Sequence, residues 1–217
     1  MTYEELKKRQ RRERDHFSDS LGLRVHRAIS WIQAFEKSTK DLDGQFIQLW
    51  IAFNALYAQS ARDESRLSET QMYKGFIAEL VKLDQHAKLS DLVWNQFASS
   101  IRGILKNPYI YGYFWRFHNG KCTQAEWQAR FQAANQSAKQ ALTKQDTAKT
   151  LSVVLSRLYV LRNQILHGGA TWNGSVNRDQ VKTAVKLLSM LVPTMVGIMM
   201  DHPHIDWPTA AYPVIKA

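Results

Sequence analysis

Arginine, an amide and histidine near the end of one apolar run are the residues of this chain best suited to phosphodiester chemistry. Leu158-Tyr-Val-Leu-Arg162-Asn163-Gln-Ile-Leu-His167-Gly168-Gly169 carries all three. Arginine is a permanent cation whose fork of donors grips phosphate. Histidine is the side chain most able to move a proton near neutral pH. Asn163 precedes His167 by four residues and so shares its helix face, where it can orient the imidazole or hold a phosphate. Arg162 and His167 are five apart, about 140° around an ideal helix, so one regular helix does not aim both the same way. Either the last turn is distorted at the glycine pair, or the groups converge with help from a second subunit. The bland alternative is a helix-end arginine and histidine that bind neighbouring carbonyls.

The chemistry available to such a set is cleavage of RNA without metal, in which the substrate's 2′-hydroxyl is the nucleophile. His167 would take that proton or protonate the departing 5′-oxygen. Arg162 would neutralise charge building on the phosphorus oxygens. DNA, lacking the 2′-hydroxyl, would resist. Competing chemistries find less support. The single Cys122 excludes an internal disulfide and a cysteine-based zinc site, and points to a reducing cytoplasm. The pair His202 and His204 has only Asp201 and Asp206 nearby, so no metal site or cofactor is expected. No phosphate-cradling glycine loop, Ser-His-Asp order or zinc-protease helix occurs.

A net charge of +10 and a pI near 9.7 favour a polyanionic partner, most simply RNA. The conspicuous basic run Lys7–Arg14 explains little of it, because residues 1–15 hold six Lys/Arg against four Asp/Glu. Between Trp127 and Arg178 one acid, Asp146, faces Arg130, Lys139, Lys144, Lys149, Arg157, Arg162 and Arg178. Arg157, Arg178 and Lys149 are therefore candidate phosphate contacts.

The elements that must position these residues read as helices. Residues 1–17 are charged and glycine-free, a first helix or an arm. Ser18 and Ser20 offer caps for a helix striped by Val25, Ala28, Ile29 and Ile32. Asp41 caps Phe46, Leu49, Trp50, Phe53, Leu56 and Tyr57, apolar on nearly every face and so central. Asn54 inside that run needs a hydrogen-bond partner. Further helices are expected at Ser68–Leu83, Leu89–Leu105, Thr123–Thr143, from Asp146 or Thr147 to His167, and from Arg178 to a kink or end near Pro193. The aromatic cluster Tyr109, Tyr111, Tyr113, Phe114, Trp115 and Phe117 either packs a short helix onto the bundle or stacks on bases. No apolar run is read as long enough to span a bilayer, and no signal peptide is seen. The expectation is an all-α bundle of about six to eight helices, with residues 18–200 as the domain and 201–217 an irregular tail containing proline.

Arg162-Asn163-x-x-x-His167-Gly168 resembles the R-x4-6-H signature of the HEPN superfamily (higher eukaryotes and prokaryotes nucleotide-binding domains). The run Phe46-Ile-Gln-Leu-Trp50-Ile-Ala-Phe53-Asn54-Ala-Leu-Tyr57 is similar to the central helix of many bacterial members, so the resemblance spans roughly residues 21–200. It implies a helical bundle that pairs into a homodimer and brings two such motifs into one cleft. It also implies a metal-independent endoribonuclease of a toxin–antitoxin, phage-defence or RNA-processing system, with an antitoxin or regulatory protein as a possible partner. Members paired with a minimal nucleotidyltransferase antitoxin commonly carry tyrosine two residues after the histidine, where this chain has Gly169. The other reading is a non-catalytic HEPN module that holds RNA, a nucleotide or a partner protein.

Overall fold

Most of the long helices begin on a side chain able to accept a hydrogen bond from a first-turn N–H. The computed structural model describes residues 1–59, 68–212 and 214, and among these it has ten α-helices and no β-strand. They are α1 (Tyr3–Glu13), α2 (Asp19–Lys37), α3 (Leu42–Tyr57), α4 (Glu69–Leu83), α5 (Lys88–Asp91), α6 (Ala98–Lys106), α7 (Gly112–His118), α8 (Gln124–Thr143), α9 (Thr147–Leu166) and α10 (Arg178–Asp201). Ser18, Asp41, Ser68, Thr123 and Asp146 cap α2, α3, α4, α8 and α9 through their side-chain oxygens. The helix count exceeds the expected range partly because the run Leu89–Leu105 is not one helix. It divides into α5, a π-helical turn at Leu92–Gln96, and α6. Asp91 accepts from the Asn95 and Gln96 amides within the turn, at 2.7 and 2.6 Å, and the Ser90 hydroxyl and Trp94 Nε1 both lie 3.0 Å from Thr147 Oγ1, so a side chain at the start of α9 helps to fix the wider turn.

The described chain clusters into two compact units: Met1–Lys88 with Val185–Ala217, and Leu89–Ala184. The first is built on α2 and α3, which pack along one another. Phe46, Leu49, Trp50, Phe53, Leu56 and Tyr57 of α3 are all buried. Asn54 finds its partner one turn on, its Oδ1 lying 2.7 Å from the Tyr57 hydroxyl. The charged N-terminal stretch is a docked helix: α1 buries Leu6 and sets Arg9 2.7 Å from Asp201. The described residues of the tail beyond Asp201 are irregular, yet they are held. Trp207 is buried, Ala210 bridges to Gln59, and Arg27 donates to the carbonyls of Ala211 and Tyr212. Of its three prolines, Pro213 lies outside the described residues.

Of the two alternatives at Pro193, a kink or an end, the end is corrected: α10 runs on to Asp201. An interior proline costs about 3 kcal/mol. Each fully buried aliphatic side chain contributes about 1.5–3 kcal/mol, and Leu191, Val192, Met195 and Val196 are all buried around it. α10 is also long and apolar enough to cross a membrane by length and composition, with 72% of its most apolar window buried within the protein.

In the second unit α9 is the buried element, with Leu151, Val154, Leu155, Leu158 and Leu161 inside. The elements around it are much more open. α7 buries none of its residues, and α8 only Ala138 and Ala141.

Candidate functional site

α9 closes as the glycine pair implies. His167 is the C-cap residue and Gly168 takes the left-handed conformation with φ 71°. The Gly168 N–H donates to the Ile165 carbonyl at 3.3 Å, and the Gly169 N–H to the Gln164 carbonyl at 2.7 Å, the paired bonds of a Schellman motif. A Cβ on Gly169 would approach the Gln164 carbonyl oxygen to 3.1 Å, so the second position also favours glycine. The chain thus turns sharply just past His167 and leaves its side chain at the edge of the helix.

Arg162 and Asn163 are brought together: Arg162 Nη1 donates to Asn163 Oδ1 at 2.9 Å, and the guanidinium lies 5.4 Å from the Tyr159 ring centroid. Both side chains are half-buried, whereas His167 is exposed. Among the described residues the imidazole makes no hydrogen bond or ion pair, so within one copy the histidine is not engaged by either partner. The arrangement offers a cation–amide pair and, a turn further on, a free proton carrier.

The three candidate phosphate contacts fare differently. Lys149 is exposed but sits in the first turn of α9, about 27 Å along the axis from His167 at 1.5 Å per residue. Arg178 begins α10 and its Nε donates to the Gly174 carbonyl at 2.9 Å, which ties it to the loop after His167. Arg157 is 3% exposed. Its guanidinium lies over the rings of Tyr111 and Phe131, at 4.2 and 5.2 Å, and one nitrogen is 3.4 Å from Asn135 Oδ1. A guanidinium so enclosed cannot meet a polyanion at the surface in this conformation. Burial pulls it down to about 10.

Gln164, absent from the expected set, is the residue that organises the neighbourhood. Its Nε2 donates to the Tyr109 carbonyl at 2.7 Å, and its Oε1 accepts from Asn177 Nδ2 at 2.9 Å. Trp115 Nε1 donates to the same Tyr109 carbonyl at 2.7 Å. The available sequence signal was spacing, since Gln164 lies three residues before His167 and shares its face. Elsewhere, His202 is buried with Nδ1 3.0 Å from the Ile198 carbonyl, its ring 5.8 Å from that of His204. Among the described residues no group of three or more His, Cys, Asp or Glu side chains is placed to hold a metal.

No protein-family model, curated protein or solved structure matches this chain. The chemistry of the site is carried by its own residues.

Proposed function

We propose that this chain is a metal-independent endoribonuclease of the HEPN kind that acts as a pair of copies, in a toxin or phage-defence role. The observation that carries the reading is an exposed, unengaged His167 on a tightly capped helix end, with the Arg162–Asn163 pair one turn before it. In-line displacement at phosphorus sets the attacking 2′-oxygen and the leaving 5′-oxygen on opposite sides. One imidazole cannot serve both positions at once, so the mechanism asks for two. The Arg162–His167 motif carries a single histidine, and in this reading the second comes from the same motif of another copy. One His167 removes the 2′-hydroxyl proton as the oxygen bonds to phosphorus; the other, protonated, delivers its proton to the 5′-oxygen as that bond breaks. Arg162 neutralises the non-bridging oxygens. The products are a 2′,3′-cyclic phosphate and a 5′-hydroxyl. The cytoplasm fits the lone thiol and an RNA substrate.

The test is cleavage of single-stranded RNA in EDTA by the unaltered chain, His167→Ala and Arg162→Ala, with the ends of the products mapped. His167→Ala is expected to lose about 100-fold or more, with folding unchanged because the ring is exposed. Equal rates in all three proteins would remove the mechanism. A non-catalytic RNA-, nucleotide- or partner-binding module is favoured by one observation, the engagement of Arg162 by Asn163 within a single copy. That reading predicts salt-sensitive RNA binding that survives His167→Ala, with no cleavage by any variant.

A further inference from the structure

We propose that Tyr109 and Trp115 form a stacking subsite for an unpaired base of single-stranded RNA, beside the last turn of α9. The location rests on the ribonuclease reading; the binding itself does not. Within the aromatic cluster of residues 109–117, Tyr111 packs on Phe131 and Tyr113 lies under Arg116 and Arg130, and the remaining four rings fall into two pairs. Phe114 and Phe117 turn toward Trp127 of α8, with centroid separations of 5.3 and 6.3 Å, and pack a half-buried layer. Tyr109 and Trp115 meet Phe114 of that layer edge-on, at 5.2 and 5.3 Å, yet remain 53% and 36% exposed. They are nonetheless held in place. Asn107 Oδ1 accepts the Tyr109 N–H at 2.8 Å, and the Tyr109 carbonyl receives both Trp115 Nε1 and Gln164 Nε2. Fixing two large rings costs conformational entropy that exposed rings do not recover by burial, and a flat ligand that covers them would recover it.

The charge around the pair selects the ligand. Residues 109–121 contain Arg116, His118 and Lys121, all exposed, and no acid. The unit to which they belong, Leu89–Ala184, holds twelve Lys/Arg against four Asp/Glu, a net +8. An apolar peptide makes no use of such a field, whereas a nucleic acid strand offers bases to the rings and phosphates to the cations. The strand must be single, because in a duplex both faces of each base are already stacked. Gln164 ties Tyr109 to the helix face that also carries His167, so a base on the platform sets the adjoining phosphodiester toward the histidine.

The experiment uses the full chain carrying His167→Ala, so that bound RNA survives, and fluorescence anisotropy with labelled oligoadenylate, oligouridylate and a blunt RNA duplex at one salt concentration. Adding Tyr109→Leu and Trp115→Leu together is expected to weaken oligoadenylate binding about tenfold or more, oligouridylate less, and the duplex hardly at all. Tyr109→Leu keeps the main-chain carbonyl that anchors the platform, and Trp115→Phe, which keeps an aromatic face, should restore most of the affinity. Unchanged oligoadenylate affinity, an equal loss for the duplex, or no single-strand binding by the parent would each overturn the subsite. Cleavage by the His167 protein is read separately. If the leucine variants lose single-strand affinity while no protein cleaves, the platform stands and the ribonuclease reading falls. If cleavage depends on His167 but affinity ignores both rings, the platform alone falls.

Discussion

The two units of this protein use similar residue types to different ends. By sequence, the unit made of residues 1–88 and 185–217 has seventeen Lys/Arg against fifteen Asp/Glu, a net +2, while Leu89–Ala184 carries +8. The first gathers six rings in its core, Phe46, Trp50, Phe53, Tyr57, Tyr73 and Trp207, all interior. In the second the rings of α7 and α8 are half-exposed or exposed. The same contrast appears in two buried arginines, each pulled down to about 10 by burial. Arg24, 1% exposed, spreads its donors over the carbonyls of Ala55, Leu56, Pro208 and Thr209. Arg157 has one long hydrogen bond and two ring faces, and its Nε and Nη1 are buried without a hydrogen-bond partner. Of the two buried guanidiniums, the one in the first unit is the better satisfied. An uncompensated positive field repels itself and opposes folding, so the second unit carries a cost that the nearly neutral first unit does not.

Three substitutions can break or sharpen that contrast. The largest effect is expected from Arg24→Met, which orphans the carbonyls of Ala55 and Leu56 in α3 and frees the tail that supplies those of Pro208 and Thr209. Calorimetry should show a loss of about 3 kcal/mol or more, and a loss under about 1 kcal/mol would mean that Arg24 is not the clasp its bonds suggest. Next is charge reversal at exposed sites, read by RNA binding at moderate salt. Lys144→Glu with Lys149→Glu should weaken binding about tenfold, whereas Lys8→Glu with Arg11→Glu should change it by no more than about twofold. Equal losses would make the charge excess of the second unit irrelevant to binding. The smallest effect is expected from Arg157→Met, which exchanges an uncompensated buried charge for an apolar chain of similar reach. Stability should stay within about 1 kcal/mol of the parent or rise, and a fall as large as that for Arg24 would assign real stabilisation to the two ring contacts.

Much of the helical plan was legible because caps and periodicity are local. Ser18, Asp41, Ser68, Thr123 and Asp146 announce helix starts, and Gly168 announces the end of α9. What stayed hidden depends on distant contacts. The π-helical turn answers in part to Thr147, more than fifty residues later, and the continuity of α10 through Pro193 answers to burial on both sides of it. The division into units has no sequence marker, since no linker separates residue 88 from 89 and α10 crosses the second boundary without interruption. The burial of Arg157 was readable after all: it lies three residues after Val154 and four before Leu161, on the core stripe, as Arg24 lies between Leu21 and Ala28. At the candidate site, spacing revealed Arg162, Asn163 and His167 but could not reveal the link from Gln164 to Tyr109, which joins segments 55 residues apart.

The clasp on Arg24 also has a consequence for the order in which the molecule is made. Two of the carbonyls that satisfy it lie 184 and 185 residues downstream. At the usual pace of about 5–20 residues per second, a ribosome needs roughly ten to forty seconds to supply them. Through most of that interval Arg24 has only the Ala55 and Leu56 carbonyls to meet, while Leu89–Ala184 is complete as one continuous stretch before the tail arrives. The strongly basic half of the protein is therefore finished first, and the nearly neutral half closes only when its last turn of chain arrives.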